Sequence, residues 1–505
     1  MTTFARNRWT RREFLGGLAG VAATAALPDV LPAQTSTPAR KPNVLFLMAD
    51  DMRVEIGCYG SRFGAKTPNL DALAKSGVRF DRNYCQFPLC NPSRASLLTG
   101  RNPTKTSVLG NRTDFRTAHP DWTTLPQLFK NNGYVTVRAG KIYHGGIDDT
   151  ASWNTTSDKG GTTDDGSGPQ TGHTMVIPHA QIPQPDGVLP PLPADNARSA
   201  YSDRIVVLEG NGEGHGDYHT ADRTIENLRK YKDQPFFIAC GFVKPHSPPT
   251  APQRFLDMYH PDDLKLTPDF AAWPVVPPGF PSAAIRKRNA DLFIGRGASE
   301  AEAKEVIRAY IASISWTDWN IGRVIDELDH LGLRDNTIVV FVADHGYQLG
   351  EKGKWSKAGS LFEMGTRVPL IVSAPGAKGN GRTCARIVES LDIYPTLVEL
   401  CGLPAQSEIE GSSLAPLLHD PRGDWDKPGF SVWSEDGHTL HGVAVRTEKW
   451  RYAEFGKDGV NGAMLFDPKA DPLEMTNLAN DPKHKAVCDE LSALTRQYAA
   501  TLVSS

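Results

Sequence analysis

The chain is poor in cysteine, has no surplus of either charge, and has no long apolar run beyond its first residues. Seven cysteines in 505 residues are too few for a disulfide scaffold, and the odd number leaves at least one unpaired. Lys and Arg total 55 against 58 Asp and Glu, a net charge of -3. With no basic excess to neutralise phosphates, nucleic acid is excluded as the main partner. No internal segment offers the roughly 20 apolar residues that a membrane helix needs. There is no internal repeat. A hydrophobic share of 39% with 22% charged residues excludes disorder, collagen and coiled coil for the chain as a whole. The length suits one large α/β domain with a smaller partner, or two or three average domains.

What is present begins with an address. Thr10-Arg11-Arg12-Glu13-Phe14-Leu15 sets twin arginines before an apolar stretch that reaches Pro28, and Leu31-Pro32-Ala33 offers small residues for cleavage. The pattern resembles a bacterial Tat export signal. It implies that residues 1–33 are a signal peptide, that the Tat machinery is a partner, and that the folded protein reaches the periplasm or the exterior.

The body alternates between strand and helix patterns. Apolar runs at 44–48, 134–138, 235–239, 337–342 and 368–372 read as buried strands. Helical patterns cover 68–75, with Thr67 as cap, then 301–331 and 390–400. This alternation predicts a mainly parallel sheet with helices on both faces. Two stretches interrupt it, 146–200 and 262–298, and both are read as walls around a site. Near 420–424 the pattern changes to short strands at 430–433, 442–446 and 450–453 and a closing helix over 485–502. The expected division is therefore a signal peptide at 1–33, a catalytic domain at 34–424 and a small C-terminal α+β subdomain at 425–505.

Polar residues collect where the strands stop: Asp50 and Asp51, Lys141 with His144, His246, and Asp344 with His345. Taken singly, an Asp pair is most often a turn or cap, and a lone His is most often structural. Together, at one edge of one sheet, they predict one site, because ligands bind beyond the carboxyl ends of strands in open α/β sheets. Three carboxylates and a histidine can cage a hard cation. Cys90-Asn91-Pro92-Ser93-Arg94 opens a helix, with Pro92 in its first turn and Arg94 one turn on from Cys90. Lys352 and Lys354 read as solvated surface charges.

Cys90-x-Pro92-Ser93-Arg94 followed by Leu98-Thr99-Gly100-Arg101 resembles the type I sulfatase signature. Gly140-Lys141-Ile142-Tyr143-His144, Lys244-Pro245-His246, and Gly350 to Lys357 resemble the iduronate-2-sulfatase branch of that family. So does His345, where many sulfatases have Asn. The resemblance covers about residues 42–482 and implies the alkaline-phosphatase-like fold. It implies Cα-formylglycine made from Cys90 by a formylglycine-generating maturation enzyme. It further implies a metal, Ca²⁺ rather than Mg²⁺, at Asp50, Asp51, Asp344, His345 and residue 90. By the same resemblance, one hydroxyl of the hydrated aldehyde attacks sulfur. Arg94 holds the diol, Lys141 and Lys357 clamp the sulfate, His246 protonates the leaving alcohol with or without Lys357, and His144 accepts the proton that releases sulfate. The expected substrate is a sulfated saccharide, attacked at a terminal and acidic sugar; His173, His179, Arg198, Arg204 and Arg254 are the cations considered for its carboxylate. The competing readings are a phosphomonoester or phosphonate hydrolase on the same scaffold, and a non-catalytic sugar-binding relative if Cys90 stays a thiol.

Overall fold

The computed structural model describes residues 40–156, 172–176, 182–184 and 204–501. The proposed signal peptide and most of the 146–200 insertion, with His179 and Arg198, lie outside them.

Asn43–Asp50 is apolar from Val44 to Ala49 and is buried along its whole length. Such a run suits the middle of a sheet covered on both faces. It pairs in parallel with Phe236–Pro245 on one side and Thr337–Ala343 on the other. Val135–Gly140 continues the sheet in parallel beyond Phe236–Pro245 and is followed by Thr155–Thr156. On the far side come Arg367–Ser373, antiparallel to both its neighbours, then Val78–Tyr84 and Thr383–Glu389. The eight-stranded sheet is thus mainly parallel with one reversed strand. Helices cover both faces. The long helix Glu300–His330 starts with a Ser299/Glu302 capping box, which satisfies free N–H groups at its first turn.

The strand and helix patterns read from sequence fall on observed elements with small shifts at their ends. Val78–Tyr84 and Thr383–Glu389 are two strands the sequence did not reveal. Thr67 does not cap the helix Pro68–Ser76; its hydroxyl accepts from the Gly57 N–H at 2.8 Å. The free N–H groups of Asn69 and Leu70 instead donate to the Asp318 carboxylate at 3.2 and 2.7 Å. A long-range acceptor has displaced the local one.

A second sheet of four antiparallel strands opens at Gly429: Gly429–Trp433, Gly442–Arg446, Arg451–Phe455 and Ala463–Phe466. The helix Lys485–Ala499 closes this part. A third, three-stranded sheet joins Gly172–Val176, Arg204–Leu208 and Thr250–Pro252. All seven cysteines are unpaired. Among the described residues no helix is long and apolar enough to cross a membrane.

Candidate active site

Four strands stand side by side in parallel: Thr337–Ala343, Asn43–Asp50, Phe236–Pro245 and Val135–Gly140. Their carboxyl ends deliver Asp344, Asp50, His246 and Lys141 to one edge. The close approach there requires glycine. A Cβ on Gly241 would lie 2.0 Å from the Lys141 carbonyl oxygen, and one on Gly140 would lie 2.1 Å from that of Gly241. Asp51 follows its strand with a φ of 62°, in the left-handed region that aspartate tolerates better than most residues. Its N–H donates to Asp344 Oδ1 at 3.1 Å.

The helix Cys90–Thr99 starts at the nucleophile candidate and is buried on every side. Cys90 Sγ lies 3.4 Å from Asp50 Oδ1 and 3.3 Å from His345 Nε2. Arg94, also fully buried, donates from Nε to Asp344 Oδ2 at 2.9 Å. It also donates to the carbonyls of Lys141 and Ile142 at 2.6 and 3.0 Å. One guanidinium therefore ties two strand ends together. Its remaining nitrogen, 3.7 Å from Asp50, has no hydrogen-bond partner among the described residues.

Ligand atoms of Asp50, Cys90, Asp344 and His345 all lie within 4.8 Å of one another. His345 Nε2 is 3.3 Å from Asp51 Oδ1, an oxygen with no hydrogen-bond partner. Burial opposes the charge of Asp50, but Lys141 and Arg94 overcome it and hold the carboxyl well below the usual range. Burial pushes Asp51 well above that range despite Lys357. Burial likewise opposes charge on His345, yet Asp344, Cys90 and Asp51 raise its imidazole to about 10. An imidazolium among crowded carboxylates, beside an orphaned carboxylate oxygen, is what a cation site looks like when the protein supplies the positive charge itself. The set fits a hard divalent cation, with Asp50, Asp51, Asp344 and His345 as its holders.

Lysines and histidines surround this cluster. Lys141 bonds Asp50. Lys357 Nζ sits 2.9 Å from Asp51 and 3.4 Å from Asp291. Burial and the neighbouring Lys141 lower His144 to about 4, so it is neutral at pH 7 and able to accept a proton. Burial and Lys357 hold His246 well below its ordinary value. His246 Nδ1 is 2.7 Å from the Ser247 carbonyl, which can only accept. The ring proton therefore sits on Nδ1, and a neutral His246 presents a bare Nε2. For His246 to donate to a leaving alcohol, as expected, its ring would also need a proton at Nε2.

A cleft of about 1180 Å³ opens over these groups. Cys90, Lys141, His144, His246 and Lys357 line its inner end. One wall is the loop carrying Arg112 and Thr113, and a second is Arg286, Ala290 and Asp291 from the 262–298 insertion. The third, Trp433 to His438, comes from a turn of the C-terminal sheet. Sequence reading missed Asp291, Arg112 and this third wall. In the three-stranded sheet His173 pairs with Val207 and Arg204 with Val176, and neither lines the cleft. Arg254 packs its guanidinium 4.8 Å from the Trp319 ring. Lys352 and Lys354 are not solvated, each being 2% exposed. Lys352 pairs with Asp269 at 2.9 Å. Lys354 donates to the carbonyls of Arg286 and Arg288 at 3.3 and 3.1 Å.

Residues 42–403 match the sulfatase family, and residues 350–500 match the C-terminal part of N-sulphoglucosamine sulphohydrolase. A sulfatase of Formosa agariphila is 32% identical over 91% of this chain and 87% of its own. Human iduronate 2-sulfatase is 31% identical over 87% of this chain and 91% of its own. The phosphonate monoester hydrolase of Agrobacterium radiobacter superposes with a TM-score of 0.70 at 22% identity, covering 92% of this chain and 96% of that one; this likeness concerns the fold. The chain belongs to the sulfatase family, a family of sulfuric ester hydrolases with the alkaline-phosphatase-like fold.

Arg94 offers a direct test of the site's construction. Arg94→Met keeps length but removes the charge that Asp344 and two carbonyls rely on. Breaking a buried pair in this way should cost about 3–5 kcal/mol of stability, read by denaturant unfolding, and should abolish turnover. Near wild-type stability would show that the guanidinium does not hold the strand ends.

Proposed function

We propose that the protein hydrolyses the sulfate ester of a saccharide, acting on a terminal and acidic sugar, with formylglycine at position 90 and calcium in the carboxylate cluster. The observation that carries the reading is the placement of Cys90 at the start of a buried helix, against Asp50 and His345, at the inner end of a walled cleft. The hydrated aldehyde supplies a diol nucleophile that carries its own means of breaking the covalent intermediate. A cation held by Asp50, Asp51, Asp344 and His345 would supply Lewis-acid polarisation of sulfate oxygens. This chain's residues do the remaining work. Lys141 and Lys357 face the sulfate with ammonium groups, Lys357 protonates the leaving oxygen, and neutral His144 accepts the proton whose loss releases sulfate.

Charge favours a monoanionic ester. With a cation held there, His345 is neutral and Asp51 ionised, so Asp50, Asp51, Asp344 and Asp291 against Arg94, Lys141 and Lys357 leave one net negative charge. A dication and a sulfate monoester cancel it. A phosphomonoester dianion would leave an excess, whereas a phosphonate monoester is a monoanion and passes the same test. Matched sulfate, phosphate and phosphonate esters therefore decide among the hydrolase readings, and sulfate should be the fastest. In active protein, mass spectrometry of the peptide spanning Cys90 should show an aldehyde. Chelation should remove activity and Ca²⁺ should restore it. Activity with an intact thiol at position 90 would refute the nucleophile, and a protein carrying only that thiol and no activity would favour the sugar-binding reading.

The walls support a pocket for a chain end. Around it the cations are paired: Arg286 with Glu435 at 2.6 Å, Lys357 with Asp51 and Asp291. Among the described residues Arg112 has no such partner. Its loop is fastened by Asn91, whose side chain donates to the carbonyls of Gly110 and Thr113 at 2.9 and 2.7 Å. This guanidinium suits a uronate carboxylate. Arg112→Gln should raise KM about tenfold for a non-reducing-end sulfated uronate and leave a neutral terminal sugar unchanged. Equal rates of the wild type on terminal, internal and neutral sugars would refute both the pocket and the acidic sugar.

Export by the Tat route completes the proposal. Arg11→Lys with Arg12→Lys should trap the protein in the cytoplasm on cell fractionation; unchanged periplasmic recovery would refute the route.

A further inference from the structure

The 262–298 insertion does more than wall the cleft. Its segment from Arg286 to Leu292 is zipped to the segment from Gly353 to Trp355. The Trp355 N–H donates to Asn289 Oδ1 at 2.9 Å, and Asn289 Nδ2 donates to the Gly353 carbonyl at 3.3 Å. The Leu292 N–H donates to the Trp355 carbonyl at 3.3 Å, and Lys354 reaches the carbonyls of Arg286 and Arg288. Gly353, with a φ of 71°, also admits a second part of the insertion, because a Cβ there would lie 1.9 Å from the Trp273 carbonyl oxygen. The zipper sets Asp291 beside Lys357 across 66 residues of chain. Both side chains are nearly buried, at 3% and 4% exposed, and the pair is 3.4 Å apart.

Lys357 has two carboxylate partners, and they differ in kind. Asp51, at 2.9 Å, belongs to the cation cluster. Asp291 stands apart from that cluster, lines the cleft, and has a second oxygen that is buried without a hydrogen-bond partner among the described residues. A buried carboxylate left this way is costly unless a nearby charge holds it, and Lys357 and Lys354 are the cations its own field acts on. A lysine is a flexible four-carbon stem with a point charge at its tip. A single carboxylate shared with a cation would leave that tip free to swing. A second, fixed carboxylate from another segment of the chain sets its direction.

We propose that Asp291 is a positioning residue for the hydrolysis: as the partner of Lys357 outside the cation cluster, it aims the ammonium at the leaving-group oxygen. The proposal rests on the reading of Lys357 as proton donor to the leaving alcohol. It is specific, because a leaving group that needs no proton should not need the aim.

The test is a double-mutant cycle on two esters, with a structural arm. Asp291→Asn keeps the shape and removes the charge. On a sugar sulfate, whose alkoxide is a poor leaving group, kcat should fall about 30-fold with KM little changed, a loss in the lower range of general-acid effects. On 4-nitrophenyl sulfate kcat should fall less than threefold. In a Lys357→Met background the Asp291→Asn step should have no further effect, since a residue that acts through another loses its contribution when that other is gone. Equal losses on both esters, or a full additional loss in the Lys357→Met background, overturn the proposal. A crystal structure of Asp291→Asn with calcium supplies a readout free of turnover: Lys357 Nζ should leave its wild-type position, and an unmoved Nζ also overturns the proposal. If the wild type hydrolyses neither ester, the functional reading fails, while the crystal structure still judges whether Asp291 aims Lys357.

Discussion

The structure turns on keeping like charges together out of water. Asp50, Asp51 and Asp344 sit fully buried at adjacent strand ends, and two unit charges about 4 Å apart in protein repel by about 4 kcal/mol at an effective dielectric near 20. A loop could not hold them there. The parallel sheet can, because the registers that align Ala49 with Ala343 and Asp50 with Pro245 are set by interstrand hydrogen bonds away from the charges. The countercharges then arrive from parts of the chain outside the carboxylates' own strands: Arg94 from the helix that starts at Cys90, Lys141 from the end of Val135–Gly140, and Lys357 from the loop beyond His345. Each is buried, and each would be costly alone. The site and the fold therefore stabilise one another, and neither set of charges is tolerable without the other.

This mutual dependence also explains what could be read from the residues alone. The site's inner members were legible because a strand buried on both faces is an unbroken apolar run, and a polar group directly after such a run marks the sheet edge. Val78–Tyr84 and Thr383–Glu389 were not, because their apolar positions alternate with charges. Arg79 is satisfied by Asp81 two residues on along the same strand, and Arg82 by Glu448, which no local pattern identifies as a partner. Lys352 and Lys354 looked solvated for the same reason. Lys354 is buried because two carbonyls of a segment more than sixty residues upstream accept its protons, and no spacing rule announces a distant carbonyl. Asp291 and the turn from Trp433 to His438 were invisible on the same grounds. Residues that touch the site through the zipper or through a second sheet carry no local mark of it.

The two histidines show how backbone geometry divides chemical labour. His144 and His246 both lie among lysines, which with burial strip them of charge. His246 then spends its ring proton on the Ser247 carbonyl. A neutral imidazole committed in this way can accept at Nε2 but cannot give. His144 has a buried Nδ1 with no protein partner, which leaves its tautomer open. Beside the cation cluster the site therefore offers two neutral imidazoles and two ammonium groups, acceptors and donors of different chemical type.

The walls of the cleft are held with unequal strength, and the inequality has a consequence for selectivity. The zipper between the insertion and the loop from Gly353 to Trp355 is made of buried bonds, and beyond it Asp291 meets a lysine that also binds the carboxylate cluster. Such contacts are expensive to break, so this wall is rigid and belongs to the chemistry. Farther out, Arg286 and Glu435 join the insertion to the turn of the C-terminal sheet through a pair that is 34% and 44% exposed. Exposed pairs are worth at most about 1 kcal/mol. The outer wall is thus a light latch on a rigid inner frame. Substitutions at the latch can reshape what the mouth admits without disturbing the charges that act on the ester, whereas substitutions at the zipper move Asp291 and, through it, Lys357. The same fold can therefore change its substrate while keeping its reaction.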